Sequence, residues 1–300
     1  MLRPKGLSAF PVTPMDQDGT VDTDGLRRLV APLVAAGVDA IGLLGSTGTY
    51  AYLTRAERRR ALEAALDEAG GRVPVLVGIG ALRTDEAVRL AQDAAAAGAS
   101  AGLLAPVSYT PLLDDEVFRH FETVARESGL PICIYDNPGT THFKFSTTLI
   151  GQLSRVPGVV AVKSPAMDAA GFASTLAELR SLVPPGFSVG CSVDMNAAEG
   201  LIAGADAFYS VLGGTFPEIC LRLVRAAQGG QADEARRIDQ GLAPVWSVFR
   251  ELTSIRVVHA LAELRGICRA GPPRPILPLS DEARGKVAAM LEALPEEFTR

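Results

Sequence analysis

The sequence predicts an α/β fold, a (β/α)8 TIM barrel with a C-terminal helical extension, and three observations carry that expectation. Short apolar runs alternate eight times with amphipathic stretches rich in Ala, Glu and Arg. Eight strand–helix units within the first three-quarters of the chain suit a closed parallel barrel better than an open sheet. The turn after the first apolar run also lacks the Gly-x-Gly-x-x-Gly that a doubly wound sheet would more often carry.

Taken in order, the runs at 6–10, 40–44, 75–77, 101–104, 132–135, 159–163, 187–189 and 207–211 are too short for helices and read as buried strands. Between them, helical spacing of apolar residues marks 23–36, 55–68, 84–97, 114–127, a short stretch near 146–153, then 169–182 and 195–203. Glycine closes several of these, as in Ala36-Gly37, Ala97-Gly98 and Ala203-Gly204, because a left-handed cap favours a residue without a Cβ. A further helix starts near Pro217. Beyond it the strand signal stops, and 232–240, 243–251, 254–268 and 280–293 read as helices, the last two parted by Pro272, Pro273 and Pro275. The expected division is a barrel over 1–224, carrying the active site, and a helical extension over 225–300 packed on it.

Hydrophobic content of 48% with 21% charged residues gives enough apolar mass for one large core. A formal net charge of −5 gives no electrostatic reason to expect nucleic acid or an anionic membrane as partner. The N-terminus lacks the long apolar region of a signal peptide, and no run is long enough to span a bilayer. Cys133, Cys191, Cys220 and Cys268 are far apart, and His120, His142 and His259 are scattered. Neither set has metal-ligand or redox spacing, so a cytoplasmic protein without metal or cofactor is expected.

Lysine is scarce: of 29 basic residues only Lys5, Lys144, Lys163 and Lys286 are lysines. Lys163 ends the run Val159-Val160-Ala161-Val162, placing a primary amine at the lip of a core. A desolvated lysine forms a Schiff base and an arginine does not, which makes Lys163 the first candidate nucleophile. The bland alternative is a lysine that snorkels to the surface or pairs with a carboxylate.

In a barrel, chemistry sits where strands hand over to loops at their C-terminal ends. That rule selects Gly45-Ser46-Thr47-Gly48-Thr49, whose two hydroxyls and approachable amides suit a carboxylate. It also selects Tyr135, a phenol able to relay protons, followed by the turn-forming Asp136-Asn137-Pro138-Gly139. Tyr109, in the loop after the fourth strand, faces either the site or a neighbouring subunit.

Together these segments resemble the dihydrodipicolinate synthase/N-acetylneuraminate lyase family of class I, pyruvate-handling aldolases. The resemblance rests on Phe10-Pro11-Val12-Thr13-Pro14, Gly45-Ser46-Thr47-Gly48, Tyr135-Asp136-Asn137-Pro138 and Val162-Lys163, with a weaker piece from Gly204 to Gly214. It implies that Lys163 forms an imine with pyruvate or a 2-oxo-3-deoxy acid, that Tyr135 relays protons, and that Ser46 and Thr47 hold the carboxylate. It further implies a homotetramer built from dimers.

Two departures bear on the second substrate. The arginine with which dihydrodipicolinate synthases grip that substrate's carboxylate is replaced by Thr140, and Gly-Thr-Thr-Gly-Glu becomes Gly-Ser-Thr-Gly-Thr. Loss of a bidentate guanidinium removes a strong anchor, with Arg83 the other arginine to consider. A lyase acting on a sugar-acid type of 2-oxo acid is therefore favoured. The alternatives are 4-hydroxy-tetrahydrodipicolinate synthesis from pyruvate and aspartate semialdehyde, and a non-catalytic barrel that binds a 2-oxo acid.

Overall fold

Eight parallel strands close into one barrel in chain order: β1 (Gly6–Ala9), β2 (Ala40–Leu43), β3 (Val75–Gly78), β4 (Ala101–Leu104), β5 (Ile132–Tyr135), β6 (Val159–Pro165), β7 (Ser188–Ser192) and β8 (Ala207–Ser210). The computed structural model describes residues 3–16, 18–166 and 168–299. Every residue of β1 to β5, β7 and β8 is buried, because helices cover one face and barrel side chains the other. This explains why the strands read as unbroken apolar runs rather than alternating ones.

The helices expected at 23–36, 84–97 and 169–182 form with those bounds, as Thr23–Ala36, Thr84–Ala97 and Ala169–Leu182. Their ends follow side-chain chemistry. Asp22 accepts from the Gly25 amide at 2.9 Å, and Gly37 takes the left-handed cap with φ 71°. Several ends differ from the expected bounds by a residue, and two strands differ by more. Strand β6 continues past Lys163 through Ser164 to Pro165, since Ser164 and Pro165 still pair with Cys191 and Ser192. Strand β7 begins one residue later than expected and runs on to Ser192. Lys163 is thus a residue within a strand and not its last.

Filling the barrel falls to one set of inward side chains, chiefly Phe10, Leu76, Leu103, Cys133, Tyr135 and Tyr209. Phe10 and Tyr209 meet edge to face with ring centres 6.2 Å apart. Such bulk fits only where neighbours are small. A Cβ on Gly190 would lie 2.4 Å from the Tyr209 ring, and one on Gly78 would lie 1.8 Å from the Leu44 carbonyl oxygen.

The C-terminal helices Ala232–Gly241, Ala243–Leu252, Ser254–Leu264 and Asp281–Ala293 pack against the barrel. Arg236 makes a two-pronged bond to Glu199 at 2.6 and 3.1 Å, and the Arg265 guanidinium lies 4.0 Å from the centre of the Phe216 ring. Residue 224, where the sequence suggests the barrel ends, lies inside the helix Pro217–Gln228.

Two glycines should respond in opposite directions. Gly78→Ala forces backbone against backbone and should cost more than about 2 kcal/mol in chemical denaturation. Gly285, inside the helix Asp281–Ala293 with nothing within 4 Å of an added Cβ, should gain about 0.5–1 kcal/mol on substitution by Ala. A tolerated Gly78→Ala would contradict the strand packing described.

Candidate active site

The C-terminal ends of the strands open into a cavity of about 490 Å³ lined by Lys163, Tyr135, Ser46, Thr47 and Thr140 among others. Register builds its centre. Tyr135 is the direct partner of Lys163 across β5 and β6, and Lys163 in turn faces Gly190 on β7. Lys163 is 6% exposed, and its Nζ lies 4.0 Å from the centre of the Tyr135 ring and 5.3 Å from that of Phe10. Buried aromatic surface surrounds this amine, and no carboxylate lies within salt-bridge distance of it among the described residues.

The Tyr135 hydroxyl has two partners. Ser46 Oγ lies 2.9 Å away, and Asn137 Nδ2 donates to it at 2.9 Å. With one lone pair taken by the amide, the phenolic proton is left to Ser46 or to a bound molecule. The sequence treats Asn137 only as a turn residue. Its signal was the spacing: two residues past Tyr135, it returns to the same side of an extended chain. The segment after it forms a short helix, Pro138–Thr141, begun by proline at its first position. Thr140 lines the cavity there, while its hydroxyl turns back to the Asn137 carbonyl at 3.3 Å.

Five residues with a Cβ carry positive φ: Leu44 (54°), Thr49 (55°), His142 (57°), Val193 (74°) and Thr253 (66°). Thr49, Val193 and Thr253 are β-branched, for which this conformation is an outlier. Val193 delivers Asp194, a buried carboxylate that no motif singles out. Asp194 accepts from Ser210 Oγ at 2.7 Å, from the Leu212 amide at 2.9 Å and from the Val211 amide at 3.2 Å. It ties the loop after β8 to the loop after β7, where only Cys191 and Phe208 pair the two strands. Burial pushes its carboxyl up, against the pull of Ser210, the two amides and Lys163.

Tyr109 is not brought into the cavity. Its side chain is 97% exposed in the single chain, on the loop after β4. Arg83 is likewise outside, paired with Asp85 at 2.9 Å on the surface. No group of three His, Cys, Asp or Glu converges as a metal site among the described residues. Nor is any helix among them long and apolar enough to cross a membrane.

Comparison with known proteins places this chain in a family. The Dihydrodipicolinate synthetase family matches residues 3–294. A 4-hydroxy-tetrahydrodipicolinate synthase of Methylococcus capsulatus is 35% identical over 92% of this chain and 93% of its own. The crystal structure of a dihydrodipicolinate synthase from Agrobacterium tumefaciens superposes with a TM-score of 0.94 at 50% identity, covering 97% of this chain and 98% of that one. That of Aquifex aeolicus gives 0.89 at 29% identity, covering 96% and 97%. The chain belongs to the dihydrodipicolinate synthetase family, and it is an enzyme of the lyase type.

Asp136, beside Tyr135 in sequence, gives a pH test of this geometry. Its Oδ1 is buried without a partner, and burial raises its pKa from 3.8 to about 6, opposed by the Phe145 backbone, Lys144 and Lys163. A raised carboxyl favours folding below its unfolded pKa and loses that contribution as pH rises through about 6. The ionised group then costs up to about 3 kcal/mol. Asp136→Asn should therefore be more stable than wild type at pH 7, the difference shrinking toward pH 4. Parallel stability curves from pH 4 to 7 would show that Asp136 is not desolvated.

Proposed function

We propose that the chain is a class I lyase working through a Schiff base on Lys163, with pyruvate or a 2-oxo-3-deoxy acid as substrate. The observation that carries this is a buried primary amine 4.0 Å from the ring of a tyrosine whose hydroxyl is bonded to a serine. A non-catalytic binder would need neither group at that spacing.

The chemistry runs from the side chains outward. The free amine of Lys163 adds to the C2 carbonyl, and water leaves to give the imine. The iminium draws electrons from C3, which permits C3–C4 cleavage or loss of a C3 proton to form an enamine. Tyr135 passes protons to and from the carbinolamine and the substrate hydroxyl, fixed by Asn137 and coupled to Ser46. Thr47, with the amides of its turn, holds the 2-oxo acid carboxylate. Ser46 shares that task in proportion as its hydroxyl is released by Tyr135.

A second reading has one observation in its favour: the named relatives are 4-hydroxy-tetrahydrodipicolinate synthases. It would have the enamine attack aspartate semialdehyde. Against it stands Thr140, since Lys163 is the only cation lining the cavity among the described residues. No guanidinium is there to receive a second carboxylate.

We also propose a homotetramer of paired dimers. Tyr109, Leu82 and Leu113 are exposed large apolar side chains on the neighbouring loops after β3 and β4, which suits an interface. Tyr109 would then meet a neighbouring subunit. A cytoplasmic setting fits four buried, unpaired cysteines.

Borohydride reduction in the presence of pyruvate should trap a pyruvyl adduct on the peptide carrying Lys163. Lys163→Ala and Lys163→Arg should lose the adduct and turnover while remaining folded; turnover in either removes the imine mechanism. Tyr135→Phe should lower kcat by about 10²–10⁴, the range for a lost general acid–base. For the assembly, sedimentation equilibrium should give four chain masses, and Leu113→Asp should reduce that number. A monomeric wild type at assay concentration would reject the assembly.

A further inference from the structure

The cavity is chemically divided, and the division points to the second substrate. Its inner end carries the polar set already described: Lys163, Tyr135, Ser46, Thr47 and Asn137. Its outer end is lined by Val193, Met195, Val211, Phe249, Ile255 and Ile276. These six come from the loops after β7 and β8, from the helices Ala243–Leu252 and Ser254–Leu264, and from the proline-rich segment beyond them. All six are apolar, and Phe249 is buried, so this is a wall of the core turned toward the cavity.

Charge does not offset this wall. Two ionisable side chains of opposite sign line the cavity, Lys163 and Asp194. Lys163 is consumed by the imine. Asp194 is already engaged by the Ser210 hydroxyl and the Val211 and Leu212 amides, so its acceptor capacity is turned toward the loop. Arg250 is outside the lining, its Nη1 3.8 Å from Met195 Sδ on the exposed side. A ligand with a second carboxylate or several hydroxyls would surrender water at this wall without recovering its hydrogen bonds, which is costly.

We infer that the carbonyl partner of the pyruvate enamine is an uncharged aldehyde with an apolar substituent, aromatic or branched aliphatic, and not a semialdehyde acid or a polyol. The inference rests on the imine reading and narrows it. It departs from the sugar-acid preference drawn from the sequence: the missing guanidinium disfavours a second carboxylate, and the wall disfavours the polyol. Atoms balance without a further reagent. C3 of the enamine bonds to the aldehyde carbon, the carbonyl electron pair takes a proton from Tyr135, and the water lost on imine formation returns on hydrolysis. The product is a 4-hydroxy-2-oxo acid with an apolar group on C4. The reverse reaction cleaves that bond and returns aldehyde and pyruvate.

The test compares aldehydes after the adduct has been checked. One portion of wild-type enzyme is reduced with borohydride and pyruvate to check the adduct, and a separate, untreated portion is assayed for pyruvate consumption with benzaldehyde, isobutyraldehyde, glyceraldehyde and aspartate semialdehyde. The two apolar aldehydes should exceed the other two in kcat/KM by about tenfold or more, the discrimination a hydrophobic pocket supplies. Ile255→Thr, at the half-buried rim, and Phe249→Ser should each narrow that ratio; if Phe249→Ser does not fold, Ile255→Thr carries the test. An adduct on Lys163 with aspartate semialdehyde or glyceraldehyde equal or preferred overturns the inference and leaves the imine reading standing. A preference that neither variant narrows overturns the wall as its source. No adduct with pyruvate overturns both.

Discussion

The pairing of Tyr135 with Lys163 across β5 and β6 is the constraint on which the site depends. In a parallel ladder, side chains that share a register share a face, and a slip of one residue sends every side chain of a strand to the other side. Had β6 slipped by one, Val162 or Ser164 would face Tyr135, and the amine would point into the helix layer. The closed ring of eight strands prevents that, because no strand shifts without breaking the pairing of its neighbours. Closure in turn depends on filling the barrel, and the bulk of Phe10 and Tyr209 is admitted by Gly42 and Gly190, where a Cβ would collide with those rings. The catalytic geometry is thus a packing property of the whole barrel.

The loops make the opposite trade. Leu44, Thr49, Val193 and Thr253 hold conformations that side chains resist, each at about 1–3 kcal/mol. Three of them directly precede a residue that lines the cavity: Thr49 before Tyr50, Val193 before Asp194, Thr253 before Ser254. The Asp194 carboxylate, with three donors, is what holds the Val193 turn. A strained loop alone would relax; a strained loop tied to Ser210 and two amides keeps its shape.

Much of this was legible beforehand. Lys163 stood out because lysine is rare here and because an amine closing a β-branched run is chemically unusual. Tyr135, Ser46 and Thr47 followed from the rule that strand ends carry function. Asn137 and Asp194 were not found, since their value lies in partners remote from their own turns: Tyr135 hydroxyl for one, the β8 loop for the other. Asp-Asn-Pro-Gly is sufficient turn chemistry to hide a functional amide within it. Tyr109 shows the converse, a residue whose type fits the chemistry but whose side chain faces outward in a single chain. The end of β6 was misplaced because proline, which cannot donate to a ladder, closes a strand as readily as it precedes a loop.

The two ends of the cavity come from different parts of the chain, and this bears on how far likeness carries. The proposed imine chemistry draws on β2, β5 and β6, whose inward residues are locked by register and barrel packing. The outer wall is built from the loops after β7 and β8 and from the C-terminal helices, which change without disturbing closure. Barrel closure constrains the first set, whereas nothing in the barrel obliges a relative at 35% identity to share Phe249, Ile255 or Ile276. Family membership speaks to the amine and the 2-oxo acid. The identity of the second substrate is written in the extension, and there this chain is apolar.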